Sequence, residues 1–309
     1  MERPFILHMF TPTRQMSPFD VNMAVDAGYQ VVVPYADVGI DNIAALTQDA
    51  IFSRGPKGVA RTGLFIGGRD VVLAADMLKR AREAMVPPFE VSVFADPSGA
   101  YTTAAALVAS VEWHLRRTHG EALEGKRVVV LGGTGPVGVI AGVLAARAGA
   151  LVSIASSRGL EAAQAASGRI NARFDVQTRG ADAQLTEALD TTLARAELVF
   201  ATAAAGVQVM NTRQVDQASQ LLVAADVNAV PPAGIDGVGV ADDGKPFGMH
   251  RALGIGALAI GNVKYQVQRR LFERMLASTR PVYLGFEEAF ALAREVVAEG
   301  EAKSEVQAA

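Results

Sequence analysis

The sequence predicts an α/β fold of two α/β domains with an interdomain cleft, and three observations predict it. Apolar runs of strand length alternate with helical patterns along almost the whole chain, the arrangement expected when parallel strands are covered by helices on both faces. A chain of 309 residues that is 50% hydrophobic is long enough for two cores of ordinary size. Near the middle, the polar and turn-rich stretch THGEALEGK at 118–126 interrupts the alternation, which places the domain crossing there.

In the first domain, strands are expected near 5–9, 30–34, 50–52, 64–66 and 90–94. The clearest helix between them is 70–85, with Val71, Ala74, Ala75 and Leu78 on one face and Lys79, Arg80 and Arg82 largely on the other. A long helix starts at the Ser98-Gly99 turn and runs through TTAAALVASVEWHLRR. Beyond the crossing, strands are expected near 127–131, 151–155, 175–178, 198–202 and 221–225. The last helices, 260–276 and 286–298, return to the first domain, and GEAKSEVQAA reads as a frayed tail. The domains so bounded are 1–122, completed by 270–309, and 123–269.

Charge and composition narrow the function. Lys plus Arg number 29 and Asp plus Glu 32, a net charge of -3, which offers no general attraction for nucleic-acid phosphates or acidic lipid. The absence of cysteine removes disulfides, thiolate catalysis, iron–sulfur clusters and cysteine zinc sites, and fits a cytoplasmic location. Mean hydropathy is +0.23, yet the apolar stretches are rich in Gly and Ala and broken by charge, as Arg147 breaks 137–155, so none reads as a membrane span. The N-terminal MERPFILHMFTPTRQ reads as a buried first strand rather than a signal peptide. His8, His114, His119 and His250 show no clustered spacing, so no metal site is expected. No GxSxG or Walker A pattern occurs, which counts against hydrolase and NTPase chemistry.

The strongest signal is KRVVVLGGTGPVGVIAGVLAARAGALVSIASSR at 126–158. In it, Gly133-Thr134-Gly135-Pro136-Val137-Gly138 follows an apolar strand and opens an apolar helix that leads to a second strand, the context that turns a weak GxGxxG into a Rossmann dinucleotide turn. The first glycine is expected to permit the tight turn, the second to clear space for the pyrophosphate, and the third to let helix and strand pack closely. The helix N-terminus then presents amides and a positive dipole end to the phosphates. An NAD-specific site usually holds Asp or Glu at the end of the second strand; here stand Ser156, Ser157 and Arg158. Without a carboxylate to repel a 2'-phosphate, and with a guanidinium to attract it, NADP is the expected cofactor, and NAD is accepted through the serine hydroxyls. Asn228 and Pro231-Pro232 lie just past an expected strand end and line the nicotinamide end of the site, or else form a simple turn.

Other segments carry a resemblance. SPFDV at 17–21, SRGPKG at 53–58, FIGGRD at 65–70, ADPSGAYTTAAA at 95–106, LGGTGPVG at 131–138, ADVNAVPPAGIDG at 225–237 and ALGIGALAIGNVK at 252–264 together resemble the bacterial methylene-tetrahydromethanopterin dehydrogenases of methylotrophs. The likeness covers nearly the whole chain, and FTPTRQMSPFD with Ser156-Ser157-Arg158 looks more like the NAD(P)-dependent form than the strictly NADP-dependent one. It implies direct hydride transfer from the methylene carbon to the nicotinamide in one-carbon (formaldehyde) oxidation, with no metal. It also implies an active site in the cleft, completed by a neighbouring subunit of a homotrimer.

The resemblance further implies roles. Phe19 matches an aromatic packed near the pterin, Thr103 a threonine at the reaction centre, and Lys264 the active-site lysine that orients the pterin's polar edge. Asp20, Asp96 and Ser98 are neighbouring polar candidates for the substrate. Gln268 stands where the NADP-dependent form has histidine; one helical turn from Lys264, it reaches the same ligand but cannot titrate near neutral pH. Taken alone, Phe19 reads more readily as a core aromatic, Thr103 as a helix cap and Lys264 as a solvated charge; only the resemblance raises them above that. Rival readings are an NADP-dependent methylene-tetrahydrofolate dehydrogenase and a non-catalytic NAD(P)H-sensing protein. A shikimate-type dehydrogenase shares the layout, but its catalytic lysine and aspartate motifs are not apparent.

Overall fold

The structure, a computed structural model, describes residues 3–308, with side chains up to 300. The first stretch runs β1 (Ile6–Phe10), α1 (Pro18–Asp26), β2 (Val31–Tyr35), α2 (Ile43–Phe52), α3 (Pro56–Val59), β3 (Thr62–Ile66), α4 (Val71–Glu83) and β4 (Ser92–Ala95). There follow α5 (Ala100–His119), β5 (Arg127–Leu131), α6 (Pro136–Arg147), β6 (Leu151–Ser156), α7 (Leu160–Phe174), β7 (Thr178–Asp182), α8 (Thr186–Leu193) and β8 (Leu198–Ala201). The chain ends with α9 (Thr212–Gln217), β9 (Val223–Asp226), β10 (Asp243–Phe247), β11 (Ala252–Ile255), α10 (Ala257–Ala277), β12 (Tyr283–Leu284) and α11 (Phe286–Ala308). No helix among the described residues is long and apolar enough to cross a membrane.

Two compact units result. One takes the chain up to Thr102 together with Tyr265–Ala289; the other takes Thr103–Lys264 and the chain from Phe290 on. These divisions fall inside α5, α10 and α11, not at the expected 122 and 269. The reason is in the contacts of each helix. The first turn of α5 is tied to Asp96, whereas further along Glu112 pairs with Arg294 and His114 with Asp243, all within the second unit. Phe272 of α10 packs against Phe65 and Phe94, with ring centroids 5.4 and 5.1 Å apart, in the first unit. Residues 300–308 continue α11 rather than fraying.

The first unit has a wholly parallel sheet in the order β12-β4-β3-β1-β2. The chain leaves β1 for β2 on one side and then crosses to β3 on the other, so the topological switch point lies between β1 and β3. Its core is apolar on both faces, as a covered parallel sheet requires: Leu7, Met9, Leu64, Phe65, Val93 and Phe94 are fully buried. Two expectations change here. The apolar residues 50–52 belong to α2, because Ile43, Thr47, Ala50 and Ile51 recur at helical spacing and form its buried face. On α4 the buried stripe is Val71, Ala74, Met77 and Ala81, with Ala75 and Leu78 only half-buried beside it.

The second unit has the order β10-β11-β9-β8-β5-β6-β7, parallel except for the edge strand β10. Counted from β5 within the unit, the parallel strands read 3-2-1-4-5-6, the order of dinucleotide-binding sheets, with the switch point between β5 and β8. The strand expected at 175–178 begins at Thr178, because Asp175 takes the left-handed conformation that ends α7. Strands β10, β11 and β12 were not anticipated by the periodicity; they are short or lie at edges.

Candidate functional site

Each glycine of the turn after β5 has a separate steric reason. Gly132 takes φ +75°, and a Cβ there would lie 2.6 Å from the Ala203 amide nitrogen. It is therefore Gly132, not Gly133, that makes the tight turn. Gly133 is kept small by Val130 O and Ile154 Cγ2, which a Cβ would approach to 2.8 and 2.9 Å. A Cβ on Gly138 would come within 2.7 Å of Gly132 O and Thr202 Oγ1, the close helix–strand approach expected of the third glycine. Gly135 is less confined: the nearest atom to its Cβ position is Gly132 O at 3.3 Å, a tight contact but a longer one than at the other three glycines. Just beyond it α6 begins at Pro136 with no side-chain cap, leaving its first-turn amides to other partners. A cleft of about 320 Å³, lined by Gly132, Thr134, Ser156, Ser157, Ala203 and Asn211 among others, lies past the C-terminal ends of β5, β6 and β8. An open glycine cradle beside an uncapped helix start, at the switch point, fits a dinucleotide pyrophosphate.

At the end of β6, Ser156 is buried and its Oγ accepts the Arg158 N–H at 3.2 Å, so this hydroxyl shapes the turn. Ser157 and Arg158 are exposed. The carboxylate nearest in register is Asp182 on β7, opposite Ser156, and it accepts the N–H groups of Gln184 and Leu185 in its own turn.

Asn228 braces two loops. Its Oδ1 accepts from Gly206 N and Val230 N, both at 3.0 Å, and its Nδ2 donates to Pro232 O at 2.7 Å, tying the loop after β8 to the loop after β9. Buried Asp226 holds the same loop, accepting the N–H groups of Asn228 and Ile235, and burial pushes its carboxyl above the ordinary range. A pocket of about 140 Å³ beside them is lined by Asp226, Asn228, Val230, Pro231 and Val238 among others.

In the first unit, the loops after β1, β3 and β4 meet at the switch point. Gly68, at φ +102°, would place a Cβ 2.9 Å from Pro12, and Ser98 donates its Oγ to Gly68 O at 2.8 Å. Asp96 is fully buried; it accepts from the amides of Tyr101 and Thr102 and from Thr102 Oγ1 at 2.6 Å. It therefore caps the first turn of α5, with Thr102 as a hydroxyl donor to the cap, while Thr103 is half-buried one residue on. Gln268 donates Nε2 to Asp20 Oδ1 at 2.7 Å, with both side chains buried. That pair joins α1 to α10. Phe19, next to Asp20, is 47% exposed, and Lys264 is half-buried one turn before Gln268. Outside the ends of β1 and β2 a cleft of about 450 Å³ is lined by Arg14, Met16, Pro18, Val21, Asn22 and Pro34 among others. Among the described residues, no group of three or more His, Asp or Glu gathers as a metal site would require.

A 3-2-1-4-5-6 parallel sheet with a glycine-lined phosphate turn, joined to a second α/β unit, defines the class: a two-unit protein with a dinucleotide-binding fold. The chain is 45% identical over 94% of its length, and 98% of the relative's, to the NAD(P)-dependent methylenetetrahydromethanopterin dehydrogenase of Methylorubrum extorquens. It therefore belongs to the methylene-tetrahydromethanopterin dehydrogenase family. The family model described as "Methylene-tetrahydromethanopterin dehydrogenase, N-terminal" matches residues 18–98. A second relative from the same organism, the bifunctional protein MdtA, is 34% identical over 94% of this chain and 98% of its own. Among solved structures, ligand-free 5-ketofructose reductase of Gluconobacter sp. strain CHM43 is similar in fold, at TM-score 0.51, 17% identity, and 95% and 99% coverage of the two chains.

Proposed function

We propose that this protein oxidises methylene-tetrahydromethanopterin to methenyl-tetrahydromethanopterin, with NADP+ or NAD+ as the hydride acceptor. One observation carries the reading: the chain aligns over 94% of its length, not only at its dinucleotide turn, with a relative named for that reaction.

The nicotinamide supplies the hydride acceptor; the protein's work is binding, orientation and exclusion of water. The turn Gly132–Gly138 and the first amides of α6 hold the pyrophosphate, and Ser157 and Arg158 lie toward the adenosine ribose. Asn228 keeps the loops after β8 and β9 in place. Lys264 orients the polar edge of the pterin, Phe19 packs against its ring and Thr103 lies near the reacting carbon. Loss of hydride from a carbon between two nitrogens gives a cation that those nitrogens stabilise, so no proton need be removed. A buried Asp20 engaged by Gln268 suits that chemistry, since no general base is required. Assembly as a homotrimer in the cytoplasm is part of the same reading; light scattering on the purified protein tests the trimer.

Steady-state rates with methylene-tetrahydromethanopterin and with methylene-tetrahydrofolate, at matched NADP+, test the carrier. Faster turnover of the tetrahydromethanopterin form is expected. Preference for the folate carrier would overturn the assignment, and binding of NADP+ without turnover of either would favour a sensing protein.

A further inference from the structure

The loop after β7 brings a side chain to the turn after β6 that no local pattern marks. The Ala183 N–H donates to Ser156 O at 3.1 Å, which fixes this loop beside the end of β6. Ala183, Ser156 and Ser157 line the same 320 Å³ cleft. One residue on, Gln184 folds its amide across the turn: a Cβ on Gly159, next to Arg158, would lie 2.8 Å from Gln184 Oε1 and 3.8 Å from its Cδ. Gly159 has φ +93°, a conformation that favours glycine, and the bare backbone there leaves room for the Gln184 amide. The nearby carboxylate of Asp182 is turned into its own loop by the amides of Gln184 and Leu185.

We propose that Gln184 determines the dual cofactor use of this site, by presenting a neutral amide to the 2' position of the adenosine ribose. The proposal rests on the second unit being the dinucleotide site. Its logic is chemical. A carboxylate at this place would accept bonds from two ribose hydroxyls but repel a 2'-phosphate, whereas a cation alone would favour the phosphate. A carboxamide has both a donor and an acceptor and no charge, so it donates to phosphate oxygens and exchanges hydrogen bonds with a hydroxyl. Beside Arg158 it lets one turn take both dinucleotides.

Dissociation constants for NADPH and NADH, measured by calorimetry on the full-length protein, test this through substitutions that reverse the sign. Gln184→Glu keeps the shape, removes the donor and adds a negative charge; NADPH is expected to weaken on the order of tenfold or more while NADH changes less than about twofold. Gln184→Lys is expected to move the ratio the other way. Gln184 is exposed, so both variants are expected to keep the parent melting temperature. Equal changes for the two dinucleotides, or an unmoved ratio in both variants, would overturn the role of Gln184. Failure of the unaltered protein to bind either dinucleotide would instead overturn the reading of the site itself.

Discussion

Gly132 and Gly135 are three residues apart in one turn, yet substitution should separate them. At Gly132 a methyl group meets the Ala203 backbone on a positive-φ residue, so Gly132→Ala is expected to lose about 1–3 kcal/mol of stability along with dinucleotide binding. At Gly135 the tightest approach is 3.3 Å, to Gly132 O, on a residue without positive φ, so Gly135→Ala should lower the melting temperature much less than Gly132→Ala while still losing dinucleotide affinity. Thermal melts beside NADPH titrations check the pair. At the ribose end, Arg158→Ala is expected to weaken NADPH much more than NADH, by about 1.5–3 kcal/mol for the lost charge-assisted contact. Equal effects would mean that Arg158 points elsewhere. For Lys264→Ala the expectation is turnover lower by on the order of 100-fold, with NADPH affinity nearly unchanged. Loss of NADPH binding with normal turnover at saturating cofactor would contradict the placement on the pterin side. The glycine spacing was legible because a backbone requirement leaves its mark on residue type. Which of two adjacent glycines takes positive φ was not, since that depends on Ala203, across the switch point on the loop after β8. The partnership of Asp20 with Gln268 crosses 248 residues, and no local pattern encodes it.

At the scale of elements, helical spacing proved more informative than apolar run length. The run at 50–52 looked like a strand in isolation, but Ile43 and Thr47 upstream extend its spacing into α2. The divisions within α5 and α10 were illegible for a related reason: a continuous helix carries no break in its periodicity where its packing partners change. The hairpin of β10 and β11 also escaped notice, and it is joined to α5 by the contact of His114 Nε2 with Asp243 Oδ1 at 2.7 Å. That contact holds the Asp243 carboxyl below its ordinary value of 3.8. A depressed carboxylate contributes stability that is fully present above the unfolded value and lost as pH falls through the lower folded one. Asp243→Asn is therefore expected to flatten the acid side of the melting profile below pH 3.8 and leave its shape near neutrality unchanged. An unaltered acid limb would show that the contact contributes nothing.

For the molecule as a whole, the alternation of strands and helices gave the α/β class, and the fingerprint located the dinucleotide sheet, because both reflect requirements repeated along the chain. The carrier side was legible only by resemblance: the side chains proposed for the pterin, Phe19, Thr103 and Lys264, are scattered along the chain and of types that also suit a core or a surface. The central claim is that one hydrogen passes directly from the carrier's methylene carbon to the nicotinamide, with no exchange with solvent. It is tested most directly by supplying methylene-tetrahydromethanopterin deuterated in the methylene group and examining the reduced nicotinamide by mass spectrometry. Deuterium at C4 of NADPH, matching the methenyl product mole for mole, is the predicted result; reduced nicotinamide carrying solvent hydrogen, or none formed although NADP+ binds, would contradict it.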